Sequence, residues 1–369
     1  MDMKNNKICF YIGDLNPGGV AHLVINLAHE FLRKGYEVHF FLTNRRGQIE
    51  DELPSEIKIF RSGNSVKSTF TGLMAYLKKE RPHAVVSARD NLNVVNAIAC
   101  KLSGTKTKSV ASVHVDYSAV TQKFPLRIQI YRLFVYISGL LFYRFANETI
   151  AVSKGVADNH AKRFFLNRKK ITVIYNPTYK ELKSDEEDEI HAFTEKFQKP
   201  LFSSVGRLTA QKGFDVLIKG FSMFRNEHKS GSLLILGEGE DRQKLEDLAK
   251  KMGVSEHVYM PGYVKTPALY VKYSDVFVCS SLWEGFGNVV VEALGVGAKI
   301  ISTDCKSGPA EILEDGKYGI LVPVSSPESL KSAMQKQLEA PISRLEQIER
   351  AKDFSVSKIA NEYLELIYK

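Results

Sequence analysis

Along the first half of the chain, short apolar runs alternate with longer stretches in which apolar positions recur every three to four residues. Residues 7–13 (KICFYIG) read as a strand buried on both faces. After a turn at Asn16-Pro17-Gly18-Gly19, the residues Val20, Leu23, Val24, Leu27 and Phe31 share one helical face over 20–34. Gly35 follows, where a left-handed C-cap ends a helix. Further strands are predicted at 37–43, 83–88, 109–114, 148–153 and 170–176. Helices are predicted at about 69–80, about 92–103 and from about 154. Alternation of this kind predicts a parallel sheet covered by helices on both faces.

Asn176-Pro177 breaks the pattern, and a polar, acidic stretch (ELKSDEEDEI within 181–199) reads as a linker with a lead-in helix. The alternation then restarts. Strands are predicted at 201–207, 232–239, 258–264, 276–281, 298–304 and 319–323. Helices fall between them at about 213–228, 240–252, 267–273, 287–296 and 308–314. The expected fold class is therefore α/β, with two Rossmann-like domains over 1–178 and 200–352 joined by a linker at 179–199. The tail 353–369, with Phe354, Ile359, Tyr363, Leu366 and Ile367, predicts an amphipathic helix that can pack on either domain, including by crossing back to the first. Open parallel sheets bind ligands at the carboxyl ends of their strands. Two such domains facing a central cleft would place the chemistry just after strands.

A length of 369 residues agrees with two domains. A composition of 44% hydrophobic and 25% charged residues excludes disordered, collagen-like and coiled-coil classes. The four cysteines (Cys9, Cys100, Cys279, Cys305) form no CxxC pair, so a reducing cytosol is expected rather than a disulfide scaffold or zinc ribbon. The N-terminus lacks the apolar stretch of a secretory signal. The charge is uneven. Residues 1–180 hold 27 Lys/Arg against 13 Asp/Glu, a charge of +14, whereas residues 181–369 hold 24 against 29, a charge of −5. A basic half joined to an acidic half points to an anionic partner for the first: nucleic acid, a membrane surface or a phosphorylated substrate.

Two segments carry candidate chemistry. In SSLWEGFGNVVVEALGVG (280–297), Glu284 sits in a glycine-containing turn before a helix and Glu292 lies within that helix. Backbone N–H groups near Gly287 and Asn288 would form an anion site at the helix start, and the two carboxylates suit sugar hydroxyls. In SSVGRLTAQKGFDVLIKGF (203–221), Arg207 and Lys212 follow a strand and precede a helix, a placement that can neutralise a diphosphate leaving group.

Together these segments resemble the retaining glycosyltransferases of family 4, which have the GT-B fold. The resemblance covers most of the chain and is densest over 203–322: GR-LTAQ-K with Arg207 and Lys212, LGEGEDRQKLEDLA, MPGYV at 260–264, the Glu284–Glu292 pair, and PAEILEDGKYGILV at 309–322. It implies an enzyme moving a hexosyl or N-acetylhexosaminyl group, with retention, from a nucleotide diphosphate donor, a UDP-sugar by expectation. The implied acceptor is a glycan or a polyprenyl-diphosphate-linked sugar in bacterial polysaccharide or glycolipid assembly. On this resemblance Arg207 and Lys212 hold the donor diphosphate, and Glu284 and His114 contact the transferred sugar. Phe286, Gly287 and Asn288 offer backbone amides, Glu292 takes the ribose hydroxyls, and the backbone of Tyr263 and Val264 meets the base. Gly18 and Gly19 form a glycine loop near the donor phosphates and the acceptor. The leaving phosphate oxygen can itself take the acceptor proton, so no separate base, cofactor or metal is implied beyond the nucleotide-sugar co-substrate.

Other readings are weaker. The first strand–helix turn is GDLNPGG rather than GxGxxG, and Thr43-Asn44-Arg45-Arg46 puts no acid after the second strand, against a dinucleotide oxidoreductase. No GKS or GKT loop and no strand-end DxD is present, and no nucleic-acid-binding motif accompanies the positive charge. A UDP-sugar 2-epimerase of the same architecture and a non-enzymatic nucleotide-sugar or lipid-binding protein stay open. Residues 123–146 interleave Lys123, Arg127, Arg132 and Arg144 with aromatics around an apolar core too short to span a bilayer. The segment suits an anionic membrane interface, so peripheral association with the cytoplasmic face is expected.

Overall fold

A computed structural model of the chain describes residues 6–16, 18–43, 47–63, 65–116, 126–182 and 185–369. Pro17 of the glycine-rich turn, Asn44, Arg45 and Arg46 after the second strand, and Lys123 of the basic-aromatic segment lie outside them. The chain forms two units: Met1–Pro177 with Val356–Lys369, and Thr178–Ser355.

The first unit runs β1 (Lys7–Ile12), α1 (Gly19–Arg33), β2 (Glu37–Leu42), β3 (Lys58–Arg61), α2 (Val66–Glu80), β4 (Ala84–Ala88), α3 (Asp90–Leu102), β5 (Lys108–Val113), α4 (Leu126–Phe142), β6 (Glu148–Ala151), α5 (Lys154–Phe164) and β7 (Ile171–Val173). Its strands form a parallel sheet in the order β3-β2-β1-β4-β5-β6-β7. The apolar runs are explained by burial on two sides. Ile8, Phe10 and Ile12 enter the core on one face with Phe31 and Phe40, while Cys9 and Tyr11 enter the opposite core with Phe41, Leu73 and Val85. All four cysteines are buried free thiols.

The second unit runs α6 (Glu187–Thr194), β8 (Leu201–Val205), α7 (Phe214–His228), β9 (Ser232–Leu236), α8 (Arg242–Lys251), β10 (Val258–Gly262), α9 (Pro267–Lys272), β11 (Val276–Cys279), α10 (Asn288–Gly295), β12 (Ile300–Thr303), α11 (Pro309–Ile312), β13 (Ile320–Val322), α12 (Pro327–Glu339) and α13 (Arg344–Lys352). The sheet order is β10-β9-β8-β11-β12-β13, again parallel.

Several boundaries differ from the sequence expectation. The stretch expected as a linker over 179–199 belongs to the second unit. Its α6 buries Ile190 and Thr194, and Glu187 accepts hydrogen bonds from Lys272 Nζ (2.5 Å) and Tyr273 Oη (2.6 Å). The second unit also extends past 352, because Phe354 is fully buried and packs edge-on to Phe286 at 5.5 Å. Strand β3 and helices α12 and α13 had no sequence expectation. The first is a mostly exposed edge strand of four residues. Helix α12 is started by Ser326, whose side chain accepts from Ser329 N, with Pro327 in its first turn.

The last helix, α14 (Val356–Tyr368), packs in the first unit. Ile359, Ala360, Tyr363 and Ile367 are fully buried in the same core as Phe10 and Phe31. Its closing turn is held by cationic and aromatic partners: Lys108 Nζ donates to Ile367 O (3.0 Å), and His83 stacks on Tyr368 at 4.3 Å. Ile367→Ala should therefore cost the first unit roughly 2–5 kcal/mol. Trp283, the chain's one tryptophan, lies in the second unit. In a urea titration, the far-UV circular dichroism of Ile367→Ala should show an early transition that Trp283 fluorescence does not follow. A shift of the fluorescence transition alone would place the helix elsewhere.

Candidate active site

In the second sheet the strand order reverses between β8 and β11, the point at which an open parallel sheet leaves a crevice at its carboxyl edge. Two loops leave the sheet there, 206–213 after β8 and 280–287 after β11. Three hydrogen bonds lace them together. Ser280 Oγ donates to Lys212 O (2.8 Å), Leu282 N to Gln211 O (2.8 Å), and Gln211 Nε2 to Trp283 O (2.9 Å). The approach requires glycine at 213, where φ is +60° and a Cβ would lie 2.3 Å from Ser280 O.

This lacing brings Lys212 to Glu284. The lysine stem lies over Gly206, where a Cβ would stand 3.1 Å from Lys212 Cδ, and Nζ donates to Glu284 Oε1 at 2.6 Å. Ser281 Oγ donates to the same oxygen at 2.7 Å. Oε2 of Glu284 has no hydrogen-bond partner among the described residues. The two side chains are only 17% and 9% exposed, so water screens the pair little. Burial disfavours the Lys212 charge, but the groups around it, the Glu284 carboxylate foremost, together hold the ammonium above its ordinary pKa. Glu292, one turn into α10, shifts upward. Burial raises its pKa, and the positive charge of Lys212 only partly opposes this.

Arg207 contrasts with Lys212. Its side chain is exposed and its guanidinium has no hydrogen bond or ion pair to a described residue; only its carbonyl is engaged, by Thr209 N at 2.8 Å. A permanent positive charge thus stands at the loop without a counter-ion among the described residues. Gly287 (φ +105°) precedes α10, whose first turn receives no side-chain cap. Asn288 opens that helix and its Oδ1 accepts from Thr178 Oγ1 at 3.3 Å. Phe286 is buried beneath the turn. Tyr263 is exposed, while Val264 is partly buried against Leu201, Leu234 and Leu236.

His114, Gly18 and Gly19 belong to the first unit. Gly18 and Gly19 lead into α1 directly after β1, at that sheet's own reversal between β1 and β4. His114 follows β5, and its Nε2 pairs with Ser112 Oγ at 2.9 Å. Ser112 Oγ is in turn 3.4 Å from Tyr363 Oη of α14. Burial pulls the imidazole pKa down to about 4, so His114 is neutral near pH 7.

The sequence reading gave Lys212 and Glu284 separate duties, one to diphosphate and one to sugar; the structure makes them one ion pair. It also missed Ser281, Gln211 and Gly206. The hydroxyl pair Ser280-Ser281 directly after a buried strand was the available signal for the first of these.

The family model of the glycosyl transferases group 1 matches residues 185–354, and that of glycosyltransferase family 4 matches residues 17–181. The chain is 33% identical over 279 residues to an uncharacterized glycosyltransferase of Methanocaldococcus jannaschii, covering 64% of this chain and 67% of that relative. The chain belongs to the GT-B glycosyltransferases. This glycosyltransferase is also 28% identical over 377 residues to the N-acetylgalactosamine-N,N'-diacetylbacillosaminyl-diphospho-undecaprenol 4-alpha-N-acetylgalactosaminyltransferase of Campylobacter jejuni, over 98% of this chain and 99% of the relative. Its fold matches that of the Anabaena protein HepE in complex with UDP, with a TM-score of 0.81, 17% identity, and 98% and 99% of the two chains covered.

Removing one partner of the Lys212–Glu284 pair strands the other charge. Lys212→Met should cost the second unit about 3 kcal/mol, and Lys212→Met with Glu284→Gln should recover more than half of that loss. Urea unfolding followed by Trp283 fluorescence measures both. Equal losses in the single and double variants would show that the pair does not couple the two loops.

Proposed function

We propose that this glycosyltransferase is a retaining, metal-independent enzyme that moves a hexosyl or N-acetylhexosaminyl group from a UDP-sugar to a lipid-linked glycan acceptor at the cytoplasmic face of a membrane. The observation that carries the reading is the division of labour around Glu284. Oε1 is committed to Lys212 and Ser281, and Oε2 stays available to a sugar hydroxyl. Lys212 spends one N–H on Glu284 and keeps two for a diphosphate. Arg207 adds a guanidinium with no hydrogen-bond or ion-pair partner among the described residues, and the N-terminal end of α10 adds the partial positive charge of the helix dipole.

In this mechanism the bond from the anomeric carbon to the β-phosphate oxygen breaks, and its electron pair stays on the phosphate. Negative charge grows there in the transition state, where Arg207 and Lys212 stabilise it more than in the ground state. The acceptor hydroxyl attacks from the face the diphosphate leaves, giving up its proton to the leaving phosphate oxygen. That course preserves the anomeric configuration and needs no separate base. The two cations occupy the role a divalent ion would otherwise fill. The UDP held by HepE and the diphospho-undecaprenol substrate named for the Campylobacter relative support the donor and acceptor classes.

UDP release with and without a polyprenyl-diphosphate-linked sugar tests the reading. Lys212→Ala and Glu284→Ala should each lower turnover at least ~100-fold, the scale of losing one charge-stabilising group. Wild-type turnover should persist in EDTA. Acceptor-independent conversion of the donor to its C2 epimer would replace this reading with an epimerase.

Helix α4 supports the membrane part of the reading. No helix among the described residues is long and apolar enough to cross a bilayer. Leu126, Ile130, Leu133, Ile137 and Leu141 nevertheless form an exposed apolar stripe along α4, at successive helical turns and close to Arg127 and Arg144. Wild-type protein should float with vesicles containing phosphatidylglycerol, and Leu126→Ser with Ile130→Ser and Arg127→Ser should reduce the bound fraction several-fold. Equal flotation of the two would remove α4 from the interface.

A further inference from the structure

Tyr363, Ser112 and His114 form a chain of three hydrogen-bonding side chains in the first unit. Along β5 the side chains alternate between faces, so Ser112 shares the face of Val110, toward the core in which Tyr363 sits. The strand around it is fixed. Ser112 pairs with Ala88 of β4 and Ile150 of β6, and Asn93 Nδ2 donates to its carbonyl at 2.9 Å. Ser112 Oγ then stands 2.9 Å from His114 Nε2 and 3.4 Å from Tyr363 Oη. Among the described residues these three side chains make no other hydrogen bond.

The protons along this chain can be placed by accounting. Ser112 and Tyr363 are buried, and a buried O–H without an acceptor is unfavourable. The phenol has one acceptor in reach, Ser112 Oγ. The serine then gives its own single proton to His114 Nε2, across the shorter of its two contacts. In that order both hydroxyl protons have acceptors. The reverse order, with Nε2–H donating to Ser112 and Ser112 to Tyr363, leaves the phenol proton buried without one. If both neighbours donate to Ser112, the serine proton is left over instead. A ring nitrogen that accepts carries no proton in neutral imidazole, and burial keeps His114 neutral near pH 7. The ring proton therefore belongs on Nδ1. That nitrogen makes no hydrogen bond to a described residue, and His114 as a whole is only half-buried.

We propose that Ser112 is a positioning residue that holds His114 in its Nδ1–H form, so that the imidazole meets the substrate as a hydrogen-bond donor and not as a base. Tyr363, by donating to Ser112 Oγ, turns the serine hydroxyl toward the ring. The ring's one basic lone pair, on Nε2, is occupied by that hydroxyl. What remains for a ligand is an N–H, which suits an oxygen atom and cannot take up a proton. The proposal rests on the transferase reading given above for its substrate, and it fits a transfer in which the acceptor proton goes to the leaving phosphate oxygen.

Nitrogen-15 spectra of the histidine rings at pH 7 test the assignment on the wild-type protein. The chain has nine histidines, and the His114 signals are those lost in His114→Asn, or in His114→Gln if the first variant does not fold. His114 should show a protonated Nδ1 and an unprotonated, hydrogen-bonded Nε2. A ring protonated mainly on Nε2 would overturn the proposal. In Ser112→Ala the Nε2 signal should move toward that of an unbonded acceptor, and an unmoved signal would remove Ser112 from its role. Turnover of a UDP-sugar with the polyprenyl-diphosphate-linked acceptor gives a second readout. An asparagine amide can place an N–H where Nδ1 stands and cannot act as a base, whereas a glutamine amide reaches toward the position of Nε2. His114→Asn should therefore stay within ~10-fold of wild-type turnover, and His114→Gln and His114→Ala should each fall at least ~10-fold below His114→Asn, the scale of one hydrogen bond. Asparagine no better than alanine would overturn the donor role. The two readings fail separately, because the spectra need no substrate. A protonated Nδ1 in a protein that transfers no sugar would keep the tautomer and remove the transferase reading, and transfer by a protein with a protonated Nε2 would do the reverse.

Discussion

A single ion pair organises the second unit's candidate site. Lys212 and Glu284 lie 72 residues apart on loops from different strands, and nothing local makes them meet. The sheet's reversal places the two loops side by side, Gly213 removes the Cβ that would keep them apart, and the 2.6 Å contact closes the arrangement. A pair so little exposed is costly to desolvate, and a further hydrogen bond to it offsets part of that cost. Ser281 supplies that on the carboxylate side. An apolar replacement of equal volume could pack the loops as well, but it would offer a ligand neither ammonium donors nor a spare carboxylate oxygen. Under the proposed function the charge is retained for what it presents, and the hydrogen bonds from Ser280 and Gln211 hold the two loops that carry it.

The first unit solves the positioning problem differently. It has no comparable ion pair at its own reversal between β1 and β4 among the described residues. A cationic side chain is instead fixed by its backbone, at Arg89, and a histidine is fixed from below. Ser112 links His114 to Tyr363, which arrives on α14 from the far end of the sequence. That return explains why the tail is amphipathic. Its buried face completes the core of Phe10 and Phe31, and one of its tyrosines also reaches the layer beneath His114. A truncation in the tail would therefore act on a residue more than two hundred positions earlier, with no change near it in sequence.

The doubly wound architecture was legible because a strand covered on both faces must be apolar at every position, as in CFYI and LLIL, and such runs stand out between helices of period 3.6. Strand β3 was not legible. It lies at the sheet edge, is four residues long, and its Lys-Ile-Phe-Arg pattern answers to solvent rather than to two cores. The acidic run before β8 reads as a linker with a lead-in helix; the helix is α6, and Ile190 and Thr194 dock it in the second unit once Lys272 and Tyr273 satisfy Glu187. At the site, charged residues with a strand-end position were readable one at a time. Their pairing was not, since a contact across 72 residues leaves no local pattern. The hydroxyl of Ser281 left only a weak local signal, as serine after a strand is ordinarily a turn residue.

Helix α4 shows how composition alone can mislead in both directions. Its near-continuous apolar character suggests either a core helix or a membrane span, and it is neither. One stripe, Tyr136 and Leu140, packs in the small core with Phe164, and Gly139 lets that ring approach to where a Cβ would stand 2.2 Å from its Cε1. A second, Tyr131, Val135, Ser138 and Phe142, walls an apolar cavity. The third, from Leu126 to Leu141, faces outward. A helix that serves a core, a cavity and a surface at once has no side left to be polar, which is why its amphipathicity is weak although only Gly139 is fully enclosed. Under the proposed function those three demands coincide. The outward stripe then meets lipid while the other two hold the helix to its unit, so membrane contact and internal packing are carried by one element.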